Sequence, residues 1–240
     1  MSRTLLISDI HGELYLFKEL LEQVKYDDAD DAKDQLILLG DYIDRGPASK
    51  EVLDFIMTLK ENGAKALMGN HEQIMLDVFE KENKYEWDFW LYTAGGLATM
   101  RSYGFTEKDL KKAGDLHDFS LHNFLCEDLI KHLEFIRHLD TSIEQDNYIF
   151  VHAGVDPHIP FNQNTKKSLL WIRDEFHQKY EGQKIVIFGH TPTKHLHQDR
   201  LNNKIYFGEN RIIGIDGGAT FGGQLNCLEL PSQKVYFVQK

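Results

Sequence analysis

The chain is poor in cysteine. Its two thiols, Cys126 and Cys227, lie far apart, which leaves no disulfide framework and no close-spaced pair for zinc. A reducing, cytoplasmic setting is the expectation that follows. No apolar run approaches the length of a membrane span, and the first residues lack the pattern of a secretion signal. Low-complexity tracts and repeats of fixed period are missing too. Positive charge is also in short supply: 27 Lys and Arg stand against 38 Asp and Glu, a net charge of −11. That balance argues against a broad surface for nucleic-acid polymers, which are bound through cations. A small phosphorylated substrate stays admissible, because bound metals can supply the local positive charge.

What is present is enough chain for a full core, 240 residues with 42% hydrophobic and 27% charged. Within it, short apolar runs stop repeatedly at polar clusters. The run 36–39 reads as a buried strand and ends at Gly40-Asp41-Tyr42-Ile43-Asp44-Arg45-Gly46. Asp41 and Asp44 would repel each other in a dehydrated crevice unless a cation lay beside them. Arg45 offers a planar fork for a pair of phosphate oxygens. The run 4–7 leads into Ser8-Asp9-Ile10-His11-Gly12, where Asp9 and His11, two apart on extended chain, point to one side. The run 64–68 leads into Gly69-Asn70-His71-Glu72. Asn70 can be a neutral oxygen ligand or a helix cap, and His71 an acid or base near neutral pH. Two later runs end the same way, 148–151 at His152-Ala153-Gly154 and 186–188 at Gly189-His190-Thr191-Pro192. A single sheet edge can gather all of these side chains, since polar groups of βα corners collect at the carboxyl ends of strands.

The remaining segments frame that edge. Residues 73–140 read mostly as helix, with a dense aromatic patch at Trp87, Phe89, Trp90, Leu91 and Tyr92. A cap packing those rings into the core and a lid lining a substrate entrance both fit. His117, His122, His132 and His138 read as ordinary surface or partly buried residues, and the acidic stretch 27–34 as a solvated face. Leu169 to Arg173 reads as the start of a helix that could supply a second guanidinium. The final third reads as strands, the last two joined as an antiparallel hairpin, and Asp216-Gly217-Gly218 marks a tight backbone approach. The order predicts an α/β fold of two sheets packed as a sandwich with helices outside. A single domain over 1–240, with a helical cap-like insertion at about 73–140, is the expected organisation.

Together the five clusters resemble the motifs of calcineurin-like metallophosphoesterases. More narrowly, they resemble the phosphoprotein phosphatase family of serine/threonine phosphatases, in its small prokaryotic form. They follow the family's order from residue 9 to residue 190, with Ser8 standing where the family usually has Gly. The resemblance implies mixed β-sheets in a four-layer αββα arrangement and a two-metal centre. One metal would take Asp9, His11 and Asp41, and the second Asp41, Asn70, His152 and His190, with Asp41 bridging. Such mixed ligands suit manganese, with iron or zinc as alternatives, better than magnesium. The resemblance further implies in-line attack on phosphorus by a hydroxide held between the metals. His71 would protonate the leaving alkoxide, Asp44 would orient His71, and Arg45 and Arg173 would grip the phosphate oxygens. Two branches share this centre: serine/threonine protein phosphatases, the primary expectation, and symmetrical diadenosine tetraphosphatases, which act on a dinucleotide polyphosphate. The segments 95–104 and 215–219 resemble both kinds. A non-catalytic binding protein would lack a ligand, and none is missing. No nucleic-acid polymer and no membrane enter as partners.

Overall fold

The computed structural model describes residues 3–26 and 34–240. Of the expected solvated stretch 27–34, all but Asp34 lies outside the described residues, and Asp34 pairs with Arg3 at 2.8 Å. The strands are β1 (Thr4–Ile7), β2 (Gln35–Leu38), β3 (Lys65–Ala66), β4 (Ser142–Gln145) and β5 (Tyr148–Val151), then β6 (Ile185–Phe188), β7 (Tyr206–Phe207), β8 (Ile212–Gly214), β9 (Gln224–Leu230) and β10 (Lys234–Gln239). They form two five-stranded sheets, ordered β10-β9-β1-β2-β3 and β4-β5-β6-β8-β7. In each sheet a parallel trio, β1-β2-β3 or β5-β6-β8, is extended by antiparallel strands.

Side-chain alternation within the strands decides the layers. Leu6 of β1, Ile37 of β2, Phe150 of β5, Ile187 of β6 and Ile213 of β8 face one another between the sheets. Their neighbours point outward. Leu5, Ile7, Leu36 and Leu38 pack under α1 (Leu14–Gln23) and α2 (Ser49–Glu61), whose apolar stripes Leu16, Phe17, Leu20 and Val52, Leu53, Ile56 are buried there. The same cluster takes in the insertion helices α3 (Asn70–Lys81), α4 (Lys84–Phe89), α5 (Gly96–Ser102), α6 (Glu107–Leu110) and α7 (Glu127–Arg137). Ile149, Val151, Val186 and Phe188 pack outward against α8 (Lys166–Trp171) and α9 (Asp174–Lys179). The result is the sandwich of mixed sheets with helices outside. Among the described residues no helix is long and apolar enough to cross a membrane.

Several local readings change. Leu169 to Arg173 does not begin a helix: it closes α8 at Trp171, and Arg173 sits in the break before α9 at φ −134° and ψ −109°. The strand expected at 64–68 shortens to two paired residues. β4 went unread because Ser142-Ile143-Glu144-Gln145 is a half-exposed edge strand with little apolar signal, held by its register with β5. His132 is fully buried, bonded between Asp54 and the Tyr103 hydroxyl, while His117, His122 and His138 are exposed.

The outer layer also contains a buried base. His177 on α9 lies flat on Phe188, 5.2 Å between ring centroids, and its Nε2 has no hydrogen-bond partner. Burial pushes its pKa down to about 4, against the attraction of nearby Asp174 and helped by Arg173. Between about pH 6.5 and 4 the unfolded chain therefore binds a proton that the folded chain refuses, so stability falls as pH drops through that window. Urea unfolding across this range should show the slope, and His177→Phe should make it shallower by that one proton's share. An unchanged slope in the variant would assign it elsewhere.

Candidate active site

Each parallel strand delivers its polar cluster just past its carboxyl end. Asp9 and His11 follow β1, Asp41 and Asp44 follow β2, Asn70 and His71 follow β3, His152 follows β5 and His190 follows β6. The corners are stitched to one another by backbone: Asp9 N–H donates to Gly40 O, His11 N–H to Asp41 O, and Gly189 N–H to His152 O. To aim their side chains inward, Asp9, His11, Asp41, Asp44, Arg45 and His190 all take positive φ, between 44° and 71°. Left-handed backbone costs a non-glycine residue about 1–3 kcal/mol, so it persists only where surrounding bonds enforce it. Clustered in this way, it marks a functional site.

Asp9, His11, Asp41, Asn70, His71, Arg45, Arg173 and His190 all line one cleft of about 440 Å³. Asp41 stands at its centre, Oδ2 3.5 Å from His11 Nε2 and Oδ1 3.4 Å from His152 Nε2. His152 Nε2 is in turn 2.9 Å from Asn70 Oδ1 and 3.2 Å from His190 Nδ1. Backbone carbonyls fix the imidazole tautomers. His11 Nδ1–H donates to Ile43 O at 2.7 Å and His152 Nδ1–H to Leu39 O at 2.9 Å. Each ring is thereby left with an Nε2 lone pair beside Asp41, the arrangement that metal-ligating histidines use. Burial lowers the pKa of His11, His152 and His190, which keeps these rings neutral and able to ligate.

The carboxylates behave oppositely to one another. Burial, Asp216 and Asp41 hold Asp9 well above its ordinary value. At Asp41 burial pushes the same way, but His152, His71 and the other imidazoles outweigh it and keep the carboxylate ionised. This donor set fits a pair of divalent metals: crowded buried carboxylates, neutral imidazoles, and a buried His190 Nε2 without any partner. Two groups of side chains lie close enough to share an ion, His11 with Asp41 and His71, and Asp41 with His152 and His190. Asp9 belongs to neither. Its carboxylate is turned onto Ser8 Oγ and the His190 N–H.

Within this group of donors, His71 Nδ1–H donates to Asp44 Oδ2 at 2.6 Å, leaving Nε2 toward the cleft. Burial works against a charged His71, but Asp41 and the bond to Asp44 prevail and raise its pKa. Arg45 donates to His11 Nε2, and its other terminal nitrogen stands 2.8 Å from His71 Nε2. Arg173 reaches the cleft from the α8–α9 break and donates to Thr191 Oγ1 at 3.0 Å. The aromatic patch divides: Trp87, Trp90 and Leu91 are core, whereas Phe89 and Tyr92 are exposed and Phe89 lines the cleft.

Two contributors escaped the sequence reading. Glu72, fully buried, accepts from the backbone N–H groups of Asp41, Tyr42 and Gly69 at 2.8–2.9 Å and so clamps the β2 corner to the start of α3. Asp216 follows β8 as Asp41 follows β2, lines the cleft, and is pushed by burial up to about 6. The recurring signal of apolar strand, Asp and Gly was present in 212–217.

Comparison with known proteins agrees with this geometry. Residues 2–215 match the calcineurin-like phosphoesterase family. The bis(5'-nucleosyl)-tetraphosphatase PrpE [asymmetrical] of Anoxybacillus flavithermus is 26% identical over 97% of this chain and 92% of its own. The serine/threonine-protein phosphatase 1 of Salmonella typhimurium is 29% identical over 93% and 90%. A crystal structure of a candidate diadenosine tetraphosphatase superposes with a TM-score of 0.68 at 19% identity, covering 99% of this chain and 93% of that one, and so speaks for the fold.

Removing one imidazole should separate the two groups of donors. Calorimetric titration of His190→Ala with manganese should lose tight binding at one site and keep it at the other. Two sites of unchanged affinity would take His190 out of the ligand set.

Proposed function

The chain belongs to the calcineurin-like phosphoesterase family, and from that membership we propose that it hydrolyses phosphate monoesters with an alkoxide leaving group, serine/threonine phosphoproteins first. It is a metal-dependent hydrolase. Asp9, His11 and Asp41 would hold one metal, and Asp41, Asn70, His152 and His190 the other, manganese being favoured over iron or zinc. The pair, when bound, would polarise the phosphoryl oxygens and lower the pKa of water. Arg45 and Arg173 orient the phosphate between their forks.

The observation that carries the substrate reading is the buried His71–Asp44 pair. An alkoxide is a poor leaving group and needs a proton as the P–O bond breaks, whereas a phosphoanhydride or aryl ester leaves with little help. His71, raised toward its charged form, supports proton donation from Nε2 to the departing oxygen, while Asp44 keeps the Nδ1 proton in place. The leaving group departs as the alcohol and phosphate remains in the cleft.

A second reading has its own support. Phe89, Trp171 and Phe221 are exposed around the cleft, and Lys194 adds a cation beside Arg45 and Arg173. Exposed rings next to cations suit the bases and phosphates of a dinucleotide polyphosphate. The relatives' names cover both substrate classes. Turnover of a phosphoserine peptide and of diadenosine tetraphosphate at matched concentration with manganese separates the two. Preference for the dinucleotide by orders of magnitude would overturn the first reading.

His71→Asn should lower kcat on an alkyl phosphate by about two orders of magnitude or more while metals remain bound. On p-nitrophenyl phosphate the loss should be much smaller. An undiminished rate on the alkyl ester would remove His71 from the acid role.

A further inference from the structure

Between β3 and β4, residues 90–99 reach the catalytic corner, and there they do more than pack. Asp44 is fully buried, and besides His71 its carboxylate has two donors from the insertion. Thr99 Oγ1 donates to Oδ1 at 2.6 Å, and Trp90 Nε1 lies 3.1 Å from both oxygens. Thr99 Oγ1 also accepts from the Asp44 N–H at 2.9 Å, so one hydroxyl pins both the backbone and the side chain of a residue at φ 71°. The local fold is built for this contact. Residues 90–94 form a single π-helical turn, a rarity that recurs at functional sites, followed by Gly95 at φ 105°. Gly95 O accepts the Arg45 N–H, and a Cβ on Gly96 would lie 2.4 Å from the Trp90 indole.

We propose that Thr99 and Trp90 are positioning residues that lock the Asp44 carboxylate so that its Oδ2 holds His71 with Nε2 toward the leaving oxygen. The inference rests on the acid role of His71 given above and assigns the aromatic segment a part in the reaction. A carboxylate with three directed donors has no freedom to rotate. With either insertion donor removed it gains freedom to turn away from Nδ1, and the imidazole loses its aim. The alternative is that both side chains only fill and stabilise the core.

The test is the dependence of rate on leaving group. Thr99→Val and Trp90→Phe keep most of the volume and delete the donor, whereas Thr99→Ser keeps the hydroxyl. Manganese-loaded variants are assayed on a phosphoserine peptide and on p-nitrophenyl phosphate, with His71→Asn beside them and circular dichroism to verify folding. The expected result is a fall in kcat of about tenfold or more on the peptide, with KM unchanged and the aryl ester little affected, and recovery in Thr99→Ser. Equal losses on both substrates, or none on either, in both folded variants would overturn the positioning role. Should His71→Asn itself show no leaving-group dependence, the acid reading fails. A selective loss in His71→Asn alone sinks only the present proposal. If Thr99→Val does not fold, Trp90→Phe decides by the same criteria.

Discussion

Asp9, Asp41 and Asp216 are buried together around one cleft, and the repulsion among charges taken out of water is the constraint the surrounding structure answers. Four imidazoles ring Asp41, Arg45 crosses to His11, and backbone N–H groups of His190 and Gly218 point at Asp9 and Asp216. Even so, Asp9 and Asp216 are driven toward their neutral forms. A pair of divalent cations would relieve what these partners leave uncompensated. That electrostatic demand, more than any single bond, ties the two sheets to a common function.

The demand is met by repetition of one device. A parallel strand runs out and a polar side chain turns into the crevice, through left-handed backbone at the corners after β1, β2 and β6. Because β1, β2 and β3 belong to one sheet and β5, β6 and β8 to the other, both sheets must present their carboxyl ends to the same side. The close approach this requires leaves little room. A Cβ on Gly189 would lie 2.1 Å from Asp9 Oδ2, and one on Gly69 would lie 2.2 Å from the Asp41 amide nitrogen. Glycine at 189 lets the corners of the two sheets meet, and glycine at 69 lets the β3 corner seat against the β2 corner.

The insertion also looks two ways. Trp87 sits among Trp90, Phe119 and Phe124 in the helical core, and Met100 is buried with them. The polar edges of Trp90 and Thr99 meanwhile reach Asp44. The two readings, packing and lining an entrance, divide between neighbouring residues: Trp87, Trp90 and Leu91 pack in the core, and Phe89 lines the cleft. Phe89, the last residue of α4, lies two positions from buried Trp87 and so on the opposite side of the helix, where it lines the cleft.

How much of this was legible beforehand depends on whether the information is local. The strand-then-polar-cluster pattern is local, so Asp9, His11, Asp41, Asn70, His71, His152 and His190 could be picked from residue type and spacing, and the sandwich from element order. The resemblance supplied their grouping into two metals. Asp216 carried the same pattern but ended a short strand late in the chain and was read only as a turn. Other features were decided by distance in three dimensions. That Glu72 would cap backbone amides thirty residues away, that Thr99 would meet Asp44, and that Arg173 would sit in a break between helices follow from packing. A sequence states which groups can bond; only the assembled sheets state which are near enough to do so.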